Sequence, residues 1–201
     1  MVGMKKNFIS NTAIVEDSVT ISTNVKIWHY AHIRSNVELG INVIVGSNVY
    51  IGSGVSIGDN SKIQNNALIY EPAQIGNGVF IGPGVIFTND HNPRAMNSDN
   101  TQKGSSDWNK AGVVVGEGAS IGAGAICVGP IEIGKWSLVG AGAVVVKDVP
   151  NYALMAGVPA RQIGWVGKDG VKLIEQSSKV FRCAVSKKLY HLEGSNLIEE
   201  E

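Results

Sequence analysis

The segment Phe87-Thr88-Asn89-Asp90-His91-Asn92-Pro93-Arg94 gathers an imidazole, two carboxamides, a carboxylate and a guanidinium within eight residues. Such a set could serve general acid–base chemistry, acyl transfer to an amine being one example. The amine must attack as the free base, the oxyanion that forms needs a hydrogen-bond donor, and one proton needs a sink. His91 is the candidate sink, unless it turns outward as the chain leaves for a loop; Asn89 is the candidate for orienting the amine. Lys62-Ile63-Gln64-Asn65-Asn66 and Ile69-Tyr70-Glu71 offer hydroxyl, amide and carboxylate partners for a polar acceptor. Gln64 is the stronger candidate there, because asparagines such as Asn66 also serve tight corners. Arg34 and Arg94 either meet a diphosphate or sugar carboxylate, or are solvated surface arginines. Gly122, Gly140 and Ala141 leave backbone groups open to a narrow ligand arm, with Lys147 and Arg161 as cations for its phosphates. The alternative is that these glycines serve corners and the cations face water.

What positions these residues is a six-residue clock. Apolar residues recur at Ile9, Val15, Ile21, Ile27, Ile33, Leu39, Val45, Ile51, Ile57, Ile63, Ile69, Ile75, Ile81 and Phe87, then again at Val115, Ile121, Cys127, Ile133, Val139 and Val145. The step from Phe87 to Val115 is 28 residues, not a multiple of six, so an insertion interrupts the repeat at the chemistry-bearing segment. Counting from each apolar residue, position five is small or β-branched. It lies two residues before the next apolar one, as inward residues of a short strand must. Position four is mostly Asn or Gly, residues that tolerate positive φ at a tight corner. Strand and corner at fixed period predict a parallel β-solenoid.

Lys+Arg and Asp+Glu balance at 17 each, so no global basic field draws nucleic acid or an anionic membrane. The uncharged run Leu39–Gly58 carries Gly, Asn and Ser at the hexad period, which argues against a membrane helix. Met1–Ser10 does not have the form of a signal peptide, and the expectation is a cytoplasmic protein without membrane insertion. Cys127 occupies an inward slot and reads as a buried, reduced thiol. Prolines after Lys147 mark the end of the solenoid. Asp169-Gly170 predicts a hairpin, with a second apolar pair at Val180–Val185 and Leu189–Leu192. The division expected is a solenoid over 1–166 and a tail over 167–201 that covers its open end.

The units Ile51-Gly-Ser-Gly-Val55-Ser, Ile75-Gly-Asn-Gly-Val79-Phe and Ile121-Gly-Ala-Gly-Ala125-Ile resemble the hexapeptide-repeat acyltransferases over Ile9 to about Val166. The resemblance implies an all-β, left-handed, three-sided parallel β-helix with 18 residues per coil, broken by one inserted loop at about 93–112. It also implies acetyl-CoA as co-substrate, no metal, and a homotrimer with sites between subunits. The end-of-solenoid sequence Gly140-Ala-Gly-Ala-Val-Val-Val-Lys147, followed by Gly157-Val-Pro-Ala-Arg161, resembles the acetyl-CoA end of that family. The Phe87–Ala95 segment, Lys62–Asn66, Ile69–Glu71 and Gly157–Trp165 together are similar to the nucleotide-sugar 3-N-acetyltransferases, whose type member acts on UDP-2-acetamido-3-amino-2,3-dideoxy-glucuronate. That implies a UDP-linked amino sugar and a role in surface polysaccharide (lipopolysaccharide) biosynthesis.

Three sides make a test possible from the sequence. Sorting every third hexad assigns outward residues to a polar face (Thr20, Glu38, Ser56, Gln74, Glu132), an apolar face (Ile14, Tyr50, Leu68, Ile86, Ile126, Val144) and a mixed face (Phe8, Lys26, Ile44, Lys62, Phe80, Leu138). The sorting holds if the insertion replaces one corner, with Val114 the exception on the polar face. A continuous apolar face predicts a partner surface. Trp108 is expected to cover a ligand or a neighbouring subunit. Competing readings are an O-acetyltransferase, a carbonic-anhydrase-like metal enzyme needing three convergent histidines among His29, His32, His91 and His191, and a non-catalytic scaffold.

Overall fold

The computed structural model describes residues 6–107 and 109–200, so Trp108 lies outside the described residues. Among them there is no helix; each hexad makes a strand of two or three residues and then a corner. Strands stack in parallel, one coil on the next, in steps of 18 residues: Lys26 beside Ile44, Ile44 beside Lys62, Lys62 beside Phe80. Three sheets of nine, seven and six strands result, closing the left-handed three-sided prism that the family resemblance implies. The seven-stranded sheet carries the apolar face, the six-stranded sheet the polar face and the nine-stranded sheet the mixed face. The first corner follows the mixed face, the second follows the apolar face and the third follows the polar face.

Positions one and five point inward along the whole prism, and a single core runs from Val25 to Ala160. Ile27, Ile33, Ile51, Ile63, Ile69 and Ile81 are fully buried there, each contributing roughly 1.5–3 kcal/mol by removal from water. Corners turn through the left-handed backbone region, and the third corner states the reason for asparagine most clearly. Asn24, Asn42 and Asn60 have φ of 60°, 62° and 61°. Asn24 donates to Asn42 at 2.6 Å and Asn42 to Asn60 at 2.8 Å, a ladder that satisfies successive side-chain amides.

The insertion replaces the second corner of one coil. The strand Ile86–Thr88 ends on the apolar face, and Val113–Val115 resumes on the polar face, with Val114 beside Gln74 and 40% exposed. Phe87 then pairs with Cys127, so the three-face sorting survives the break. The excursion begins at Asn89, earlier than the expected 93, because Asp90 already pairs antiparallel with Lys110 and the Ala111 amide donates to the Asn89 carbonyl at 2.9 Å. Met96 pairs with Gln102 further out, making the insertion an irregular two-stranded arm.

After the last coil, Arg161–Trp165 runs antiparallel to Ala153–Ala156 and finishes the nine-stranded sheet. A separate four-stranded antiparallel sheet follows over Ile174–Glu199. The expected hairpin is present, with Gly170 at φ 72° and Val166 bridged to Lys172, and Val180–Arg182 pairs with Leu189–Glu193. This sheet builds its own small core of Leu173, Cys183, Tyr190 and Leu197 on Tyr152, with Trp136 and Trp165 packed against it. Trp136 and Tyr152 occupy third-corner positions at φ 55° and 60°, where earlier coils use Asn or Gly. The tail sheet is therefore anchored at the third corner, across the prism from the apolar face.

Candidate functional site

The candidate residues fall on the two corners that border the apolar face. On the first corner, Trp28, Gly46, Gln64, Gly82, Gly122 and Gly140 line up in successive coils. Ala141 continues that corner, and Arg161 opens the strand just beyond it, exposed, with Nη1 donating to its own preceding carbonyl, Ala160, at 2.9 Å. Gly122 is held as glycine by stacking, since a Cβ there would lie 2.5 Å from the Ala141 nitrogen. Gly58 and Gly116 are equally close to the coil above them at the third corner, so this closeness belongs to the fold and not to a ligand groove alone. Gly140 is looser, its nearest atom being the Met155 carbonyl oxygen at 3.1 Å. Asn66 has φ 63° and is a corner residue; Gln64 is half-buried, with no side-chain hydrogen bond among the described residues.

On the second corner, Tyr70 and Glu71 stand one coil before Thr88 and Asn89, as the 18-residue step requires. Glu71 reaches the arm through an ion pair with Lys110 at 3.3 Å. Gly112, where the arm re-enters the prism, packs directly on the Pro72 carbonyl, and the Gly129 amide donates to the Thr88 hydroxyl at 3.2 Å. The arm overhangs a cavity of about 600 Å³ bounded by Asp90, His91, Asn92, Lys103, Lys110 and Pro130. Position five of this hexad is not an inward slot: His91 is exposed at the cavity mouth, because the strand has ended at Thr88. Asp90 accepts the Asn92 amide at 2.9 Å, which fixes the turn that presents His91. Arg94 is exposed on the arm, bonded to the Pro93 carbonyl at 3.0 Å.

Two expected ligands sit elsewhere. Arg34 is engaged with Glu16 at 2.5 Å and donates to the Tyr50 hydroxyl at 3.2 Å, so its charge is matched and not open to a diphosphate. His32 Nε2 lies 3.1 Å from the same Glu16 oxygen. The Ser35 amide first, then His32 and Arg34, hold the Glu16 carboxyl below its ordinary value. Lys147 is exposed at the second corner, whereas Gly122, Gly140 and Ala141 are at the first, so one subunit does not bring them together. The histidines are dispersed over the first corner (His29), the apolar face (His32), the arm (His91) and the tail (His191), and no cluster of three or more metal-ligating side chains occurs among the described residues. Cys127 is fully buried and its thiol is pushed up to about 12 by burial.

Lys103, Lys110 and Pro130 were not legible as cavity residues. The arm has no period, and nothing in the spacing announces that Lys110 folds back on Glu71.

The model described as bacterial transferase hexapeptide (six repeats) matches residues 18–53 and 54–89, and that described as hexapeptide repeat of succinyl-transferase matches 36–71 and 112–147. The dTDP-3-amino-3,6-dideoxy-alpha-D-galactopyranose 3-N-acetyltransferase of Aneurinibacillus thermoaerophilus is 48% identical over 60 residues, 30% of this chain and 31% of that protein. The serine acetyltransferase of Salmonella typhimurium is 51% identical over 53 residues, 26% of this chain and 19% of that protein. These matches span about a third or less of the curated relatives. Among solved structures, PerB from Caulobacter crescentus in complex with CoA and GDP-perosamine is similar with a TM-score of 0.56 and 27% identity, over 80% of this chain and 58% of that one.

Proposed function

This chain belongs to the hexapeptide-repeat transferases, and from that premise we propose that it is an acetyl-CoA-dependent N-acetyltransferase acting on the 3-amino group of a nucleotide-linked, specifically UDP-linked, amino sugar. The observation that carries the reading is the arm that breaks the repeat beside the apolar face, bearing Asn89 and His91 over a cavity. The likeness to a 3-N-acetyltransferase and to a structure holding CoA and GDP-perosamine supports it. Surface polysaccharide synthesis in the cytoplasm is the setting that such an activity fits.

We take residues 1–166 as the acyltransferase unit and 167–201 as its tail. The unit acts as a homotrimer. Three prisms that turn the same face towards a threefold axis set the first corner of each against the second corner of the next. The apolar face supplies that packing surface, with Leu68, Ile86, Ile126 and Val144 half-buried before any partner covers them. The small residues of one subunit, Gly122, Gly140 and Ala141, then meet the arm and Lys147 of its neighbour, which reunites residues that a single subunit keeps apart.

In that site the pantetheine arm lies along the first corner with its phosphates towards Arg161 and Lys147. Asn89 orients the amine, and Tyr70, Glu71, Gln64 and Arg94 contact the acceptor. The amine nitrogen bonds to the thioester carbonyl carbon, the C–S bond breaks, and the surplus proton leaves to His91 or to the departing thiolate. His91→Ala therefore lowers kcat without abolishing it.

Thiol release from acetyl-CoA against a panel of 3-amino nucleotide sugars tests the proposal; no turnover with any of them contradicts it. The serine acetyltransferase match favours a second reading, O-acetylation. There a hydroxyl must lose its proton during attack, so His91→Ala abolishes turnover and serine or a sugar hydroxyl replaces the amine as acceptor.

A further inference from the structure

We propose that the N-terminal half of the mixed face, Trp28 with Lys26, Lys62 and Gln64, seats the nucleoside diphosphate of the acceptor. This rests on the nucleotide-sugar reading above. A nucleotide asks for a flat aromatic surface for its base, cations for its diphosphate and an amide for the base edge.

All three are present on one strip. The Trp28 indole is 41% exposed and is backed by Phe8, the ring centroids 5.1 Å apart. Lys26 and Lys62 are exposed and have no acidic partner among the described residues. They stand in line two strands apart, roughly 10 Å at the usual spacing, within reach of adjacent phosphates for two flexible side chains. Gln64 follows Lys62 on the same side of its strand, and its half-buried amide is otherwise unengaged.

Charge separates this face from the other two. Its outward strand positions carry lysines and no carboxylate, whereas the polar face carries Glu38 and Glu132 and the apolar face pairs Arg34 with Glu16. Covering two unmatched lysines with a second copy of this chain would desolvate them without compensation. A dianion supplies it.

The strip also leads to the right place. From the Trp28 row the first corner continues through Gly46, Gln64 and Gly82 to Gly122, four strand steps or roughly 19 Å. That is the reach of an extended nucleotide sugar, and it places the sugar near Gly82, where the neighbouring subunit's arm and the acetyl-CoA thioester can meet it.

Binding of UDP, dTDP and GDP alone to the full chain, followed by calorimetry, tests this without turnover. Trp28 and Lys62 are exposed, so Trp28→Ala and Lys62→Gln keep the fold. Each is expected to weaken nucleoside diphosphate binding about tenfold or more, and to raise KM for the amino sugar while KM for acetyl-CoA holds. Lys62→Gln should also flatten the salt dependence of binding. No binding by the wild type, or undiminished binding by Trp28→Ala, overturns the subsite. So does loss of the trimer in Trp28→Ala with the dissociation constant unchanged, which would make the strip a subunit contact. Diphosphate binding that depends on Trp28, without acetylation of any amino sugar, supports the subsite and contradicts the acceptor chemistry instead.

Discussion

Gly112→Ala is the substitution whose cost can be worked most directly from the structure. The Pro72 carbonyl oxygen occupies the place a Cβ would take, and the Pro72 carbonyl carbon and Cγ lie 3.0 and 3.1 Å from it. The obstacle is backbone, and it belongs to the corner that carries Tyr70 and Glu71. Relief requires moving either that corner or the root of the arm. Overpacking of this kind costs about 1–3 kcal/mol. The stiffer unfolded chain offsets about 0.4–1 kcal/mol of that. The net is on the order of 1–2 kcal/mol, a fall in Tm of about 2–8 °C for a chain this size. Displacing the arm by even a fraction of an ångström also moves Asn89 and His91, so acetyl transfer should fall roughly tenfold or more. Gly104→Ala is the control, because its Cβ would find only the Asp107 carboxylate at 3.6 Å. Thermal unfolding by circular dichroism and thiol release from acetyl-CoA are the assays. If Gly112→Ala melts with Gly104→Ala and keeps full activity, the contact between arm and corner is not what positions the site.

Other expectations follow from particular side chains. The Glu16 carboxyl is held below the usual 4.5, first by the Ser35 amide, then by His32 and Arg34, so its contribution is present above that pH and is lost as pH falls through the depressed value. Urea midpoints should therefore drop on acidification below about 4.5, with a shallower drop in Glu16→Gln; equal slopes would count against the pairing. Cys127 is buried with its thiol raised to about 12, and Cys183 is buried too, so a thiol reagent at pH 8 should label neither in the native protein and both in denaturant. Trp136 holds the tail from a left-handed corner, with Lys168 lying 5.4 Å from its ring centroid. Trp136→Asn keeps that corner but should open 167–200 to limited proteolysis while acetyl transfer is unchanged, since this corner faces away from the apolar face; a parallel loss of activity would place the tail in the site.

The parallel solenoid was legible because its period is written three times over, whereas its three sides and left hand came only with the family resemblance. Position one fills the core, position five keeps the next turn close, and position four supplies positive φ; any one of these fixes the period. Face assignment followed from counting by three, and Val114 beside Gln74 agrees with that count. The same count could have separated Gln64 and Gly122 from Tyr70 and Lys147, since the first pair follows mixed-face strands and the second pair follows apolar-face strands. The arm and the tail were less legible for a physical reason. Both are held by scattered long-range contacts, Glu71 to Lys110 and Gly112 on Pro72 for the arm and Tyr152 with Trp136 against Tyr190 and Leu197 for the tail, that leave no periodic trace. His91 shows the same limit: its hexad position pointed inward, but the strand had already ended at Thr88.

The proposed site is shared, the first corner of one subunit being completed by the arm of the next. That sharing is tested most directly by refolding a mixture of two inactive variants, one with Gly140→Trp at the first corner and one with Asn89→Ala and His91→Ala on the arm, and measuring acetyl transfer. In a 1:1 mixture that assembles at random about a quarter of all sites, one of the three in each mixed trimer, recover both intact halves, because each site takes its corner and its arm from different chains. Activity should return towards that fraction while either variant alone stays inactive. A site contained within one subunit carries a lesion in every copy, so no recovery in demonstrably mixed trimers would contradict it.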